Sequence, residues 1–234
     1  MKQSVKDRLT EAGKKLPIFI FAPLLSALGI SLCLKAALGL DPISLFIEGL
    51  SKVLGMAYSN ASLLYNGSFI LLACILAWKN IYIGTVLSGM LMGPFLKVYE
   101  HVLAFIDPAS LVLWQRFLFF AVGQVIMCLG ISVNVSLRFG LGSSDAIIFK
   151  ICSVTGWHYK YLKMTFDATY LTVGFLMGGV LGVGTVLSML TTGPIVEVGV
   201  KFLNRTLLKK LGLQNPLNEM KAKKKSRPVA VRKR

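Results

Sequence analysis

Charge-free apolar runs divide this chain more sharply than any motif does. No Asp, Glu, Lys or Arg interrupts residues 16–34, 53–78, 117–137 or 168–196. Each run holds at least about 19 residues, which at about 1.5 Å per residue covers a hydrocarbon core of about 30 Å. Helices on a soluble surface alternate apolar with charged faces over such lengths, so the runs predict transmembrane helices. With glycine, proline and capping residues as punctuation, long helices are expected over 16–37, 59–78, 81–105, 111–137, 159–177 and 181–207. Two segments, 43–54 and 144–154, are too short to span and are expected as half-helices or re-entrant elements. Asp41 is a good N-cap ahead of Pro42, which suits a first helical turn. Lys79-Asn80 and Gly178-Gly179 read as turns, and Asp107-Pro108 as the joint between two halves. Gly93-Pro94 and Gly193-Pro194 are expected to break the third and sixth long helices.

The plan is written twice. Gly29-Ile30-Ser31 through Gly39-Leu40 recurs as Gly130-Ile131-Ser132 through Gly140-Leu141, 101 residues later. Gly55 and Asn66 then match Gly156 and Asp167, and Gly84-Thr85 and Gly93-Pro94 match Gly184-Thr185 and Gly193-Pro194. Matched glycines and prolines over roughly seventy residues argue for duplication, a frequent mark of membrane transporters. The chain accordingly divides into a basic segment (1–15), a first membrane repeat (16–106), a second (110–208) and a basic tail (209–234). Three crossings per repeat, an odd number, require the repeats to lie in opposite orientations. The expected fold is thus an all-α polytopic membrane protein with about six transmembrane helices in two inverted three-helix repeats, each with a short re-entrant or half-helix. If the short elements crossed fully, the repeats would be parallel.

Composition agrees: 55% of residues are hydrophobic and the mean hydropathy is +0.68. The net charge of +16 suggests nucleic acid until it is located. Residues 1–15 contribute +3 and residues 201–234 contribute +11, leaving +2 between. The tail lacks apolar periodicity and is expected to be disordered. Retention of both termini in the cytoplasm, with the tail against anionic lipid headgroups, accounts for the charge without nucleic acid. The first apolar run is longer than a signal-peptide core and belongs to the repeat, so it is expected to be retained. The four cysteines show no metal-ligand spacing, and neither disulfide nor cofactor is expected.

Polar residues within apolar runs are the candidate chemistry, since ionisable groups in a bilayer usually face a cavity or a partner. Asn66 and Asp167 are matched positions near mid-helix. Asp167 suits a proton or cation relay, or a structural hydrogen bond. Lys97 and Glu197 are also matched, each a turn beyond its Gly-Pro. A buried ion pair between them is one expectation, and snorkelling of Lys97 beside Glu100 and His101 the other. Asp41 with Ser44, and Ser144 with Asp145, set hydroxyls and carboxylates beside the free N–H groups of the short helices. Inverted-repeat transporters build solute sites from such broken helices, and plain capping is the alternative. Gly89-x-x-x-Gly93 and Gly174-x-x-x-Gly178 read as helix-packing positions. Enzyme signatures are missing: His101 and His158 stand alone, and no nucleophile elbow or paired-histidine helix is present, so an enzyme is not expected.

The residues Gly29, Gly39-Leu40-Asp41-Pro42, Gly55, Gly84-Thr85 and Gly93, with their second-half mates, resemble the YczE/YyaS/YitT family of bacterial inner-membrane proteins. The resemblance spans about residues 16–205. At the short helix, members tend to carry Gly-Pro-Trp-Asp where this chain reads Asp41-Pro42-Ile43-Ser44. It implies a multi-pass protein of the bacterial cytoplasmic membrane, of a family often described as transporters. Together with the duplication and the polar residues, the expectation is a secondary transporter or permease for a small polar or anionic metabolite, with proton coupling through Asp167. The solute is not named by the sequence, and homo-oligomerisation is left open. The rival expectation is a non-transporting membrane partner that docks another protein through its basic tail.

Overall fold

The computed structural model describes residues 5–76, 83–137, 142–157 and 159–208. The Lys79-Asn80 turn, Gly140-Leu141 and the basic tail lie outside the described residues. Among those described, the fold is all-helical: α1 (Val5–Ala36), α2 (Pro42–Leu54), α3 (Tyr58–Leu76), α4 (Ile83–Val102), α5 (Leu113–Leu137), α6 (Ser143–Thr155), α7 (Tyr159–Leu176) and α8 (Val183–Leu203). A 3₁₀ turn, Pro108–Ser110, precedes α5, and a π-helical turn, Asn204–Leu208, ends α8.

Among the described residues, four stretches are long and apolar enough to cross a membrane: Pro17–Ala36, Tyr58–Leu76, Leu113–Leu137 and Val183–Thr206. Four of the six expected spans meet this measure. Helices α4 and α7 form where expected, but with 20 and 18 residues they carry Lys97 and Glu100, and Lys160, Lys163 and Asp167. A correction concerns the prolines. Pro94 and Pro194 sit inside helices that continue through them, so neither Gly-Pro ends its helix.

The centre is an antiparallel seam between α1 and α5. Phe19 packs with Val133 and Leu137 at one end, and the Cys33 thiol reaches the Phe120 carbonyl at 3.8 Å at the other. Between them, Ala22, Ser26 and Gly29 face Gly123, Met127 and Gly130. Small residues at helical spacing let two backbones approach closely, which drives helix association where lipid removes the hydrophobic driving force.

Each seam helix carries a parallel neighbour. Leu87 of α4 packs beside Ile18 and Phe19 of α1, and Lys35 donates to the Ile106 carbonyl at 2.8 Å beyond the end of α4. Helix α8 joins α5 through a polar network instead. Gln124, only 3% exposed, donates to Thr192 Oγ1 at 2.8 Å and accepts from Ser188 Oγ at 3.0 Å. Helix α3 runs antiparallel to α4, with Leu63 and Ser59 against Gly93, and Ile70 and Asn66 against Gly89. Glu100 closes that pair by accepting from Ser59 N–H at 2.8 Å and Ser59 Oγ at 2.7 Å, a carboxylate at a helix N-terminus.

Candidate functional site

Two breaks in the chain create the site. Helix α1 stops where Ala37 and Gly39 take positive φ, +52° and +105°. Gly39 has no room for a side chain, because Thr185 Oγ1 and Gly182 N crowd the position a Cβ would take. Asp41 then restarts the chain: its carboxylate accepts from Ser44 N–H at 3.3 Å, capping α2 over Pro42. Helix α6 starts differently. Gly142 occupies its N-cap without a side-chain bond, and Asp145 lies in its first turn, where a carboxylate favours the helix dipole.

Both short helices lean on long helices from the other half of the chain. Helix α2 runs parallel to α7, with Phe46 beside Tyr170, Gly49 against Gly174, and Lys52 Nζ donating to the Gly178 carbonyl at 2.8 Å. Gly174 is indispensable to this contact, since Leu45 and the Phe46 backbone fill the space a Cβ would need. Glu48 completes the attachment, accepting from Val180 N–H at 3.0 Å and pairing with Lys52 at 2.9 Å. Helix α6 packs on α3, where Ile147 and Ala73 are buried together.

Polar and aromatic groups converge where α2, α3, α6 and α7 meet. Tyr65 on α3 donates to the hydroxyl of Tyr170 on α7 at 2.9 Å. Ser144, buried at the start of α6, lies beside both hydroxyls. Phe46 stacks against this pair with ring centroids 5.9 Å and 5.4 Å away. Tyr58, buried on α3, lies beside Ser44 and within electrostatic reach of Asp41. Asp41 lies in turn within electrostatic reach of Lys163 and Asp167, which pair with each other at 3.0 Å.

Of the residues singled out from sequence, Asp41, Ser44, Ser144, Asp145 and Asp167 thus gather around one centre. Asp167 is not a lone carboxylate, since Lys163 one turn earlier neutralises it. Asn66 donates to the Ser62 carbonyl at 2.9 Å and packs over Gly89, a position at the α3–α4 contact. Lys97 and Glu197 do not form the expected pair. Glu197 binds Lys201 at 2.6 Å with side chains 66% and 58% exposed, and Lys97 is exposed on α4. An i,i+4 partner on the same helix face needs no chain to cross the protein. Sequence reading missed Tyr58, Tyr65, Phe46 and Tyr170. The available signal was an aromatic pair at i,i+4 spacing in both copies, Tyr65 with Phe69 and Phe166 with Tyr170.

Comparison with known proteins follows from these features. A family model described as "Family of unknown function (DUF6198)" matches residues 13–201. The uncharacterized membrane protein YczE of Bacillus subtilis is 29% identical over 183 residues, covering 76% of this chain and 82% of that protein. An uncharacterized protein of Haemophilus influenzae is 24% identical over 200 residues, covering 84% and 88%. The uncharacterized protein YyaS of Bacillus subtilis is 24% identical over 189 residues, covering 80% and 92%. No solved structure matches.

Proposed function

The chain belongs to the DUF6198 family, and on that premise we propose that this membrane protein is a secondary transporter or permease for a small polar metabolite. Its solute site is the convergence of α2, α3, α6 and α7. The observation that carries the reading is the Tyr65–Tyr170 hydroxyl pair, which joins the two halves of the chain beside the starts of two broken helices. Buried hydroxyls and carboxylates at helix breaks are costly in a membrane unless they line a path or bind a solute. Supporting it, the packing repeats in matched pairs: α2 on α7 with α6 on α3 between the halves, and α1 on α4 with α5 on α8 within them. Matched Gly29 and Gly130 both face the α1–α5 seam, and that seam is antiparallel, as two inverted repeats require.

In this reading α4 and α7 also cross, making six spans in the bacterial inner membrane with both termini cytoplasmic. Asp167 exchanges a proton during the cycle, with Lys163 as its partner when ionised. The test is uptake by proteoliposomes of solutes first found by thermal-shift screening against a metabolite library. Tyr170→Leu and Asp167→Asn should each lower the uptake rate at least about tenfold, and Asp167→Asn should remove its dependence on a pH gradient. Uptake untouched by both substitutions sinks the proposal.

A further inference from the structure

We infer that α2 is a lid over the Tyr65–Tyr170 hydroxyl pair, hinged at its start and held shut at its far end by a clasp on the other half of the chain. This rests on the transport-site reading above and names the part that moves to admit a solute. The first argument is what α2 covers. Its inward face buries Ser44, Leu45, Ile47, Gly49 and Ser51, and Phe46 lies against both tyrosine rings. Leu45 closes over Gly174 and joins the buried cluster around Cys33 and Phe120. With 13 residues, α2 is too short to be anchored at both faces of a bilayer.

The second argument is how α2 is attached. Just before it the chain is pinned to the start of α8, where Gly184 N–H donates to the Leu38 carbonyl at 2.8 Å. Just after it Gly55 takes a φ of +61°, with nothing inside 4 Å of the position a Cβ would take. A pinned start and an uncrowded glycine at the end let a rigid helix swing by changing a few dihedrals. The third argument is the clasp. Glu48 accepts from Val180 N–H at 3.0 Å and pairs with Lys52 at 2.9 Å, and Lys52 Nζ donates to the Gly178 carbonyl at 2.8 Å. These bonds lie in the last two turns of α2, away from the pinned end, and the Lys52 side chain is 46% exposed. Exposed ion pairs and single hydrogen bonds are weak enough to break and reform in a working cycle. The α1–α5 seam instead packs backbone against backbone, so the halves stay joined there while the lid moves.

The test reads water access beneath the lid, as the rate at which N-ethylmaleimide modifies Cys33 in the full-length protein in proteoliposomes. Mass spectrometry of the Cys33 peptide is the readout. Cys33 is buried, and a thiol reacts as its thiolate, which forms where water reaches it. Glu48→Gln combined with Lys52→Met removes the ion pair and the bond to Gly178 but leaves the buried face of α2 intact. It should raise the Cys33 rate about tenfold. Lys52→Met alone, at a half-exposed side chain, should raise it less and in the same direction. Val133→Cys, in the α1–α5 seam beside Phe19, is the control, and its rate should change by less than about twofold. A Cys33 rate unchanged by both variants, or an equal rise at Val133→Cys, overturns the lid. The transport reading fails separately: faster Cys33 modification as described, with uptake untouched by Tyr170→Leu and Asp167→Asn, keeps the lid and removes the transporter.

Discussion

Replacing Gly29 by alanine separates close backbone packing from intrinsic helix preference. A Cβ on Gly29 would meet the Met127 amide nitrogen, the Gly123 carbonyl oxygen at 2.5 Å and Met127 Cα at 2.7 Å. All three are backbone atoms of α5, so no side chain can rotate away. Ordinary contact at about 3.4 Å or more requires α1 and α5 to part by roughly 1 Å, and strain of this kind costs about 1–3 kcal/mol. Against it stands the helix preference of alanine over glycine, about 1 kcal/mol. The net loss should reach up to about 2 kcal/mol. Gly67 supplies the control, since it lies within α3 with nothing inside 4 Å of the position a Cβ would take. There the same substitution keeps the preference without the clash. At about 2–4 °C per kcal/mol for a chain of this size, Gly29→Ala should lower the apparent melting temperature by up to about 8 °C, and Gly67→Ala should hold or raise it. Size-exclusion of detergent-solubilised protein after graded heating reads both, at one heating rate because membrane-protein unfolding is commonly irreversible. A rise in Gly29→Ala equal to that in Gly67→Ala would refute the α1–α5 seam.

Further expectations rest on single contacts. Gln124→Leu strips Ser188 and Thr192 of their partner within the buried α5–α8 contact and should cost about 1–3 kcal/mol, read as a lower melting temperature. Glu100→Gln keeps one acceptor for Ser59 but loses the charge at the α3 N-terminus; a loss of about 1 kcal/mol is expected, and Glu100→Ala should lose more. Lys97→Met should change stability by less than about 0.5 kcal/mol, because the side chain is exposed and forms no ion pair among the described residues. A large loss there would restore the pair with Glu197. Hydrogen exchange should be slower at the C-terminal end of α2 than of α6. Glu48 and Lys52 tie α2 to Val180 and Gly178, whereas the positions 101 residues on are Phe149 and Ser153; equal exchange would discount that attachment.

Helix positions were legible because apolar runs and their punctuation are local. Asp41-Pro42 announced the start of α2 by itself, and Gly178 announced the end of α7. The number of spans was harder, since α4 and α7 mix apolar residues with ions whose environment depends on neighbours. Gly-Pro overstated the mid-helix interruption because a lost hydrogen bond can be tolerated in a helix that neighbours hold in place. Pairings were the least legible. Glu197 was matched with Lys97 on the repeat alone, which holds only if matched positions meet. The nearer Lys201 won because an i,i+4 contact costs little ordering entropy. The seam was half visible: Gly29 and Gly130 were conspicuous as a repeat, but their partners Ala22, Ser26 and Gly123 showed only once the helices were laid together.

The hydroxyl pair at the centre has a consequence for how the two halves divide their work. Positions 65 and 69 match 166 and 170, and the aromatic rings are common to both copies. The hydroxyls are not: one copy carries its phenol on the first ring, the other on the second. Two phenols on matched positions would each face the equivalent surroundings of its own copy. Placing them on unmatched positions instead lets Tyr65 donate to Tyr170 at 2.9 Å while Phe69 and Phe166 flank the bond. The same asymmetry sets Asp41, a capping carboxylate, against Gly142, and Ser44 against Asp145. A duplicated scaffold alone would give two equal half-sites, each with the same affinity. Breaking the match concentrates hydrogen bonding and charge into one centre, as the solute site proposed above would need.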